Sequence, residues 1–414
     1  MKAKKHYIIL NGLLYILTLP LLCQGLVFAK ESVEVKTKPT QSKTELSGLL
    51  ETAVGWTSLK DHSVDDRPWL SVHRARFWVK GAVNKQASYV MHFALDRIGA
   101  DQFAMLQSRP LSTSRAPAIQ DAMLHFHILP KKALVLTSGF LRPTVGRENN
   151  VAVITEPNME PALTSGLVRQ VTTETGHGRA GGVNLSHFSQ YGKFGVLLHL
   201  GMFMPTVKGA KEELEYDQSQ GSKLNPLFTS TLQLTWGTRM QMANENTLLI
   251  FNPLTKSRGI HLGGSIGQQG ETERFKQSQV WTVYSMAHWD YLLFDTEWVS
   301  AKRISLNDNE AVNSAWHIRA GYNIKLGSHF MTPFILYTQL KGDQLTPEEL
   351  EGELGALKLY AGEGNLVDAG MNYHFAKRRL RVGIHGIYST VSKETIRQPL
   401  RAGWSTVATF HMHF

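Results

Sequence analysis

Hydrophobic and polar residues alternate along most of this chain, in runs of about ten residues. The C-terminal run shows the pattern most clearly. One side of a strand would carry Trp404, Thr406, Ala408, Phe410, Met412 and Phe414, and the other side Ser405, Val407, Thr409, His411 and His413. A period of two is that of a β-strand. No long helix is predicted that could cover the apolar side, so we expect an apolar face turned outward and a polar face turned inward, as in a barrel in lipid.

Sixteen such runs are predicted, and each has about the 9 to 11 residues that a tilted strand needs to cross the hydrocarbon of a bilayer. They lie near residues 48–57, 70–82, 87–97, 119–129, 132–143, 180–188, 192–203, 229–240, 259–267, 276–287, 291–302, 313–325, 329–340, 366–375, 378–390 and 403–414.

The connections between these runs alternate in length. Short ones are predicted at 83–86, 130–131, 190–191, 288–290, 326–328 and 376–377, and long ones at 58–69, 98–118, 144–179, 204–228, 268–275, 303–312, 341–365 and 391–402. One connection, 241–258, is long where a short turn is expected. Alternating lengths and an even strand number predict an all-β fold, a transmembrane antiparallel β-barrel of about 16 strands with short periplasmic turns and long extracellular loops.

The N-terminus has the pattern of a secretory signal peptide. Lys2, Lys4 and Lys5 precede an apolar run, and small residues at Val27 and Ala29 predict cleavage after residue 29. We therefore predict a signal peptide at 1–29, a short periplasmic segment at 30–46, and the barrel at 47–414. Cys23, the only cysteine, falls within the signal peptide. The mature chain would then have no thiol for catalysis and no disulfide. The predicted location is the outer membrane of a Gram-negative bacterium.

The net charge is basic. It is +10 for the whole chain and about +7 without the three lysines of the signal peptide. A basic secreted protein favours anionic solutes or the anionic lipopolysaccharide of an outer membrane as partners. No recognition-helix or zinc-ligand spacing is found, so nucleic acid is not an expected partner.

Cations are predicted on the inner face. Arg74, Arg76 and Lys80 share one face of the second strand, and a charge facing lipid at mid-depth costs roughly 2–4 kcal/mol, so this face is expected to line the lumen. The full set of candidate pore-lining residues is Arg74, Arg76, Lys80, Arg142, Arg147, Arg169, Arg179, Arg239, Arg319 and Arg381. In a narrow channel such cations raise the local anion concentration, and Arg binds oxyanions in a bidentate fork. The alternative is that nearby acids balance them and leave little selectivity: Asp96, Asp121, Asp295, Glu297 and Asp368.

The segment from Gly139 to Glu148 resembles the strand-to-loop motif of the phosphate-selective porin O and P family. Further similar elements are Arg74-Ala75-Arg76 with Gly81, Asp121-Ala122, Met159-Glu160, Gly178-Arg179 and Gly181-Gly182-Val183. The resemblance covers mainly residues 70–205, and it implies a homotrimer. The long connection at 144–179 is where general porins fold a loop inward. Phe140 and Pro161 depart from the family's Gln and Arg.

Other chemistries have weaker support. The pairs His125/His127 and His411/His413 have a spacing that suits a metal, but no third ligand is fixed by the sequence, so neither a metal nor another cofactor is predicted. Gly-x-Ser-x-Gly is absent, and Ser186 and His187 point to opposite faces of a strand, so no catalytic residue is assigned.

The sequence thus predicts a passive channel for small hydrophilic solutes, biased to anions such as phosphate. The alternatives are a lipid-modifying hydrolase of the outer membrane and a structural or adhesive barrel with a plugged lumen. The strand ending in Phe414 resembles the one that the barrel-assembly machinery reads, which makes that machinery an expected partner.

Overall fold

A computed structural model describes residues 44–60, 65–98, 106, 118–129, 133–151, 156–174, 178–205, 225–237, 241–242, 249–250, 254, 256–342, 357, 360, 362–375, 379–391 and 400–414. The chain divides into two units, Met1–Gln41 and Ser42–Phe414, and the described residues belong to the second. The predicted signal peptide, residues 30–43 and Arg239 lie outside the described residues.

Strands account for most of the described chain. They are β1 (Thr44–Leu59), β2 (Arg67–Ala82), β3 (Ala87–Ala94), β4 (Ala118–His127), β5 (Leu134–Leu141), β6 (Ala180–Tyr191), β7 (Phe194–Met204), β8 (Leu227–Gly237), β9 (Gln241–Met242), β10 (Leu249–Ile250), β11 (Ser257–Gln269), β12 (Gln277–Asp290), β13 (Leu292–Ile304), β14 (Glu310–Tyr322), β15 (Ile324–Leu326), β16 (His329–Lys341), β17 (Glu363–Phe375), β18 (Leu380–Val391) and β19 (Gly403–His413). Two helices lie between β5 and β6, α1 (Arg147–Asn150) and α2 (Leu163–Thr172). Among the described residues no helix combines the length and the hydropathy that crossing a membrane requires.

The strands form one closed antiparallel sheet. Each barrel strand pairs with its neighbour in sequence, and β19 pairs with β1 to close the ring. Because β14 and β15 both pair with β16, they are two parts of one wall strand, so sixteen strands surround the barrel. The short strands β9 and β10 pair only with each other. The predicted barrel of sixteen antiparallel strands is confirmed.

The C-terminal strand closes the barrel as the sequence predicts. Its register against β1 runs from Leu49 opposite His413 to Leu59 opposite Gly403. Beyond β19, the N–H of Gly48 donates to the carbonyl of Phe414 at 2.7 Å, and the N–H of Phe414 donates to the carbonyl of Gly48 at 3.0 Å. The Phe414 ring lies over Gly48, where an added Cβ would be only 2.4 Å from a ring carbon. Glycine at this position therefore lets the last ring pack against the wall.

Short and long connections alternate at the two ends of the barrel, which we call the short-turn end and the long-loop end. Two residues join β6 to β7 and one joins β12 to β13, whereas 142–179 and 342–362 are long. The connection between β13 and β14, at 305–309, is shorter than the predicted 303–312. The one connection predicted to be long at the short-turn end is long in the structure. It spans 238–256 and contains the β9–β10 ribbon.

The outer surface is apolar and the inner surface largely polar, and the two alternate along the strands except at irregularities between Glu51 and Thr52 and between His92 and Phe93. On β4, Leu124 is 50% exposed on the outside and its neighbour His125 is fully buried on the inside. Exposed outward tryptophans lie on many strands: Trp56, Trp236, Trp281, Trp289, Trp298 and Trp404. This distribution matches the face assignment made from the sequence, and the belt suits a lipid surround.

The long connection 142–179, here called the inner loop, folds into the barrel. On α2, Leu163, Leu167, Val168 and Val171 form one apolar face with helical spacing. This face packs against buried inward residues of the wall: Val280, Val299, Ala301, Ala311, Ala315, Leu340 and Leu366. The inner face of β12–β17 is therefore partly apolar, unlike the polar lumen expected from the sequence, because a docked helix needs an apolar surface.

The outer belt makes a test of the fold possible. Ile384, 58% exposed near the middle of β18, is expected to face hydrocarbon, and Leu46, 62% exposed, lies near the short-turn end of β1. We predict that Ile384→Arg lowers the free energy of unfolding in lipid vesicles by roughly 2–4 kcal/mol and that Leu46→Arg lowers it by about 1 kcal/mol or less. Urea titration measures both values, and equal costs at the two sites would contradict the assigned membrane position.

Candidate functional site

The inner loop enters the lumen at Gly146. This residue has φ of 74°, in the left-handed region that favours glycine. Its N–H donates to the Ser265 hydroxyl at 3.1 Å. A Cβ at this position would lie 2.7 Å from the Oε1 of Glu297, so the backbone approaches the wall more closely than a larger residue permits.

Glu297 then fixes the start of α1 against β13. Its carboxylate oxygens accept the backbone N–H groups of Arg147 at 2.5 Å and Glu148 at 3.1 Å. Backbone donors at the first turn of a helix have no partner within the helix, so a wall carboxylate satisfies them here. The inner loop is thereby held to the wall at the point where its charged residues begin.

Five buried charged groups, which we call the ionic clamp, join the inner loop to β13 and β14. They are Arg147, Glu148 and Glu156 from the loop and Asp295 and Arg319 from the wall. The Arg147 guanidinium contacts Glu156 at 2.9 Å and Asp295 at 3.1 Å. The Arg319 guanidinium donates to both oxygens of Glu148, at 2.7 and 2.8 Å, and also contacts Glu156.

Glu148 is ionic despite its burial. Burial acts to raise the pKa of Glu148, which lies in the loop outside the strands, but the neighbouring Arg319, His317 and Arg147 together outweigh burial and lower that pKa to about 2. His317 extends the group, with one ring nitrogen 2.9 Å from Asp295 and the other 3.0 Å from the Thr164 hydroxyl of α2. A charge buried among such partners is stable only while its partners remain.

The same region offers three donor atoms close enough for a metal ion. Ligand atoms of Glu148, Asp295 and His317 lie within 4.8 Å of one another. Both carboxylates already accept from the Arg147 or Arg319 guanidinium, and two cations beside the group oppose binding of a third. We therefore assign these residues to docking of the loop.

Beyond the clamp, the loop reaches the opposite wall. Arg381 of β18 donates to the carbonyl of Glu156 at 2.9 Å, and the N–H of Met159 donates to Asp368 of β17 at 3.2 Å. Arg74 of β2 donates to the carbonyl of Met159 at 2.7 Å and pairs with Glu51 at 2.7 Å. Arg74 and Arg381, both predicted from the sequence, thus hold the loop by its backbone.

Arg303 of β13 was not among the residues predicted from the sequence. Its guanidinium donates to the carbonyls of Gln170 and Val171 in the last turn of α2, at 3.1 and 3.2 Å, and pairs with Glu174 at 2.7 Å. A cation at this end complements the helix dipole and satisfies carbonyls that lack helical partners. Residues 295, 297 and 303 occupy alternate positions of β13 and therefore lie on one face of the strand. The alternation with Asp295 and Glu297 could thus have identified Arg303 as an inward cation.

A second set of charged pairs lies on β2–β4, just after β3 and at the ends of the inner loop, and Arg76, Asp96, Arg97 and Asp121 in this set keep part of their surface exposed. The Nη2 and Nε of Arg76 donate to the Asp96 carboxylate at 2.6 and 3.1 Å. Arg97 pairs with Glu160 at 3.0 Å. Arg179 pairs with Asp121 at 3.0 Å. All of these pairs lie away from the half of the lumen that α2 fills.

Three predicted arginines meet at the two ends of the loop. Arg142 donates to the backbone carbonyl of Asn149, and Arg169 donates to the Asn149 side-chain oxygen at 3.1 Å. Both guanidinium groups therefore hydrogen-bond the same residue. Arg142 also lies within electrostatic range of Arg179, Arg169 and Arg76. We call Arg76, Arg97, Arg142, Arg169 and Arg179 the arginine strip; Arg76, Arg97 and Arg142 keep part of their surface exposed, and Arg169 and Arg179 are buried.

The other predicted cations lie elsewhere. Lys80 is exposed near the short-turn end of β2 and pairs with Glu45 at 3.3 Å. Arg147 and Arg319 belong to the ionic clamp. Arg239 falls outside the described residues.

Comparison with known proteins gives a structural likeness only. No protein-family model matches the chain, and a search of curated proteins finds no match. Among solved structures, an anion-selective porin from Comamonas acidovorans is similar at a TM-score of 0.56 and 10% identity, over 90% of this chain and 100% of that chain. OprB of Pseudomonas putida matches at 0.56 and 8% identity, over 90% and 94%. The outer membrane channel DcaP of Acinetobacter baumannii matches at 0.52 and 10% identity, over 92% and 100%.

These likenesses agree with the closed antiparallel barrel of this chain and show the fold alone. At such low identity they carry neither a solute nor a family subtype to this chain. Membership of the phosphate-selective porin O and P family stays a prediction from the motifs between residues 70 and 205.

The clamp predicts how firmly the inner loop is docked. Arg319→Met leaves Glu148 and Glu156 buried without this guanidinium, and breaking a buried ion pair in this way costs roughly 3–5 kcal/mol. We expect hydrogen exchange of amides at 145–172 in the folded protein to accelerate by about two orders of magnitude or more, while β6 and β7 keep their protection.

Arg258→Met is the matched control, because Arg258 pairs with Asp290 in an exposed position at the short-turn end. Adding Glu148→Gln to the Arg319 variant should restore part of the protection. Unchanged exchange of the loop in the Arg319 variant would show that the apolar face of α2 alone holds it.

Proposed function

We propose that this chain is an outer-membrane porin that conducts small hydrophilic solutes passively, with a bias to anions. No chemical step is involved. Cations on the wall favour entry of an anion, and several weak sites in succession allow it to leave.

The grouping of five arginines on one side of the lumen carries this proposal. The arginine strip lies on β2, just after β3 and at the two ends of the inner loop, and Arg76, Arg97 and Arg142 in it keep part of their surface exposed. Pairs with Asp96, Asp121 and Glu160 hold Arg76, Arg179 and Arg97 in place. A solute on this side of the lumen would therefore meet several guanidinium groups.

The packing of the inner loop supports a passage on one side of the lumen. Inward residues of β12–β17 that pack on α2, such as Val299, Ala315 and Leu340, are fully or almost fully buried. Arg76, Asp96 and Asp121 on β2–β4 keep part of their surface exposed. A solute would pass between these strands and the returning end of the loop.

The remaining features of the proposal rest on the sequence and on likeness. The apolar belt and the terminal Phe414 support insertion into an outer membrane, with lipopolysaccharide and the barrel-assembly machinery as partners. The predicted signal peptide supports export, and the resemblance to the O and P porins supports a homotrimer and a phosphate-like solute. One of the similar solved structures is described as anion-selective.

Reversal potentials in planar bilayers test the anion bias. In a potassium chloride gradient, we expect a potential that reports preference for chloride over potassium. Arg142→Gln should reduce the permeability ratio by about twofold to fivefold, as expected for losing one charge near a hydrated path. Arg258→Gln, far from the strip, should leave it unchanged.

A zero reversal potential with normal conductance would leave a general pore and remove the anion bias. Folded protein that conducts no current at all would favour the alternative of a structural barrel whose lumen the inner loop plugs.

A second candidate, the lipid-modifying hydrolase, has one observation in its favour. On the outer face of β6, the Ser189 hydroxyl lies 2.8 Å from Nε2 of His187, and the imidazole also hydrogen-bonds the backbone of Ala133. A base hydrogen-bonded to a serine is the minimum for nucleophilic catalysis. The partner that orients His187 is a backbone group and not a carboxylate, so the channel is the better supported function.

Labelling with a serine-directed fluorophosphonate separates the two candidates. The channel proposal predicts no label on folded protein. Stoichiometric labelling that Ser189→Ala and His187→Gln both abolish, but Ser186→Ala does not, would establish the hydrolase instead.

A further inference from the structure

Trp78 lies on the inner face of β2 and keeps part of its surface exposed, whereas Trp56, Trp236, Trp281, Trp289, Trp298 and Trp404 face outward. Its ring is stacked on the imidazole of His92, with centroids 4.6 Å apart and an interplanar angle of 18°. The imidazole of His413 approaches its edge at 6.4 Å. The indole is thus held rigidly in the lumen, with its remaining surface in water.

Arg76 stands two residues before Trp78 on the same face, about 7 Å away along the strand. Its Nε and Nη2 are engaged by Asp96, and its Nη1 has no partner among the described residues. The indole N–H of Trp78 likewise has none there. The Nη1 of Arg76, the indole N–H of Trp78 and the indole ring therefore face the same part of the lumen.

The pair is connected to the rest of the arginine strip. The Nδ1 of His92, beneath the indole, contacts Asp121 at 2.8 Å, and Asp121 pairs with Arg179 at 3.0 Å. A ligand on Trp78 would thus lie beside the proposed anion path. The stacked imidazole and its carboxylate also prevent the indole from turning away when the subsite is empty.

We infer that Arg76 and Trp78 form a subsite for carboxylates that carry an aromatic ring. This inference rests on the proposed channel and names a class of solute for it. The carboxylate accepts from Nη1 of Arg76, and the ring packs on the indole. A ring stacked on an aromatic side chain gains affinity beyond the area that it buries. An inorganic oxyanion would use Arg76 but leave the indole in water, and an uncharged sugar would leave the guanidinium unused.

Benzoate and acetate are matched probes, because both are monocarboxylates and only benzoate has a ring. We expect benzoate to reduce the chloride current through the full-length folded protein at concentrations about threefold to tenfold lower than acetate does. Saturation-transfer NMR of both probes with the protein in detergent measures the same affinity difference without requiring current.

Variants separate the two halves of the subsite. Trp78→Leu should remove the difference between benzoate and acetate, and Trp78→Phe should keep part of it. Arg76→Gln should weaken both probes by a similar factor. Trp281→Leu, on the outer face, is the control and should change neither.

Equal affinity of benzoate and acetate for the unaltered protein, or a difference that persists in Trp78→Leu, would overturn the inference. Failure of the subsite and failure of the proposed function give different results: chloride preference without benzoate preference rejects the subsite alone. Absence of chloride preference rejects the anion bias, and the NMR comparison still decides whether the ring is recognised.

Discussion

The ionic clamp between the inner loop and strands β13 and β14 decides where water can remain inside the barrel. The clamp holds the 38-residue connection 142–179 inside the lumen, and Arg303, Arg74 and Arg381 add contacts to the backbone of this loop. Arg319 and Arg147 bring Glu148 and Glu156 to the wall, and α2 then covers the apolar inner face of β12–β17. Because buried charges are stable only when paired, the loop has one favourable position.

The docked inner loop places two different groups of charges on two sides of the lumen. The charges of the clamp are paired with one another in a buried group, whereas Arg76, Arg97 and Arg142 of the arginine strip keep contact with solvent. Each arginine of the strip is also tethered, to a carboxylate or to Asn149, which fixes its position and weakens its field. A modest bias with rapid release is the expected behaviour, since tight binding would slow passage.

The strand pattern was predictable because a barrel wall repeats one alternation of inward and outward residues, and most of its residues follow it. Pairing of the last strand with the first, near Leu49 to Trp56, was expected because a barrel must close, and the structure supplies its register. The inner loop was not predictable in detail, because its partners come from strands far away in sequence. The helical spacing of Leu163, Leu167 and Val171 was a local signal for α2. No local pattern indicated which wall residues Glu148, Glu156 and Glu160 would contact. The pairing of Arg319 with Glu148 crosses 171 residues.

Cysteine accessibility tests most directly the claim that solutes pass along β2–β4. The only native cysteine is Cys23, within the predicted signal peptide, so single cysteines can be placed freely. A charged methanethiosulfonate reagent applied during current recording should react with Asp96→Cys and reduce the current, and should leave Ala315→Cys unmodified beneath α2. Rapid modification of Ala315→Cys with no effect at Asp96→Cys would contradict the account.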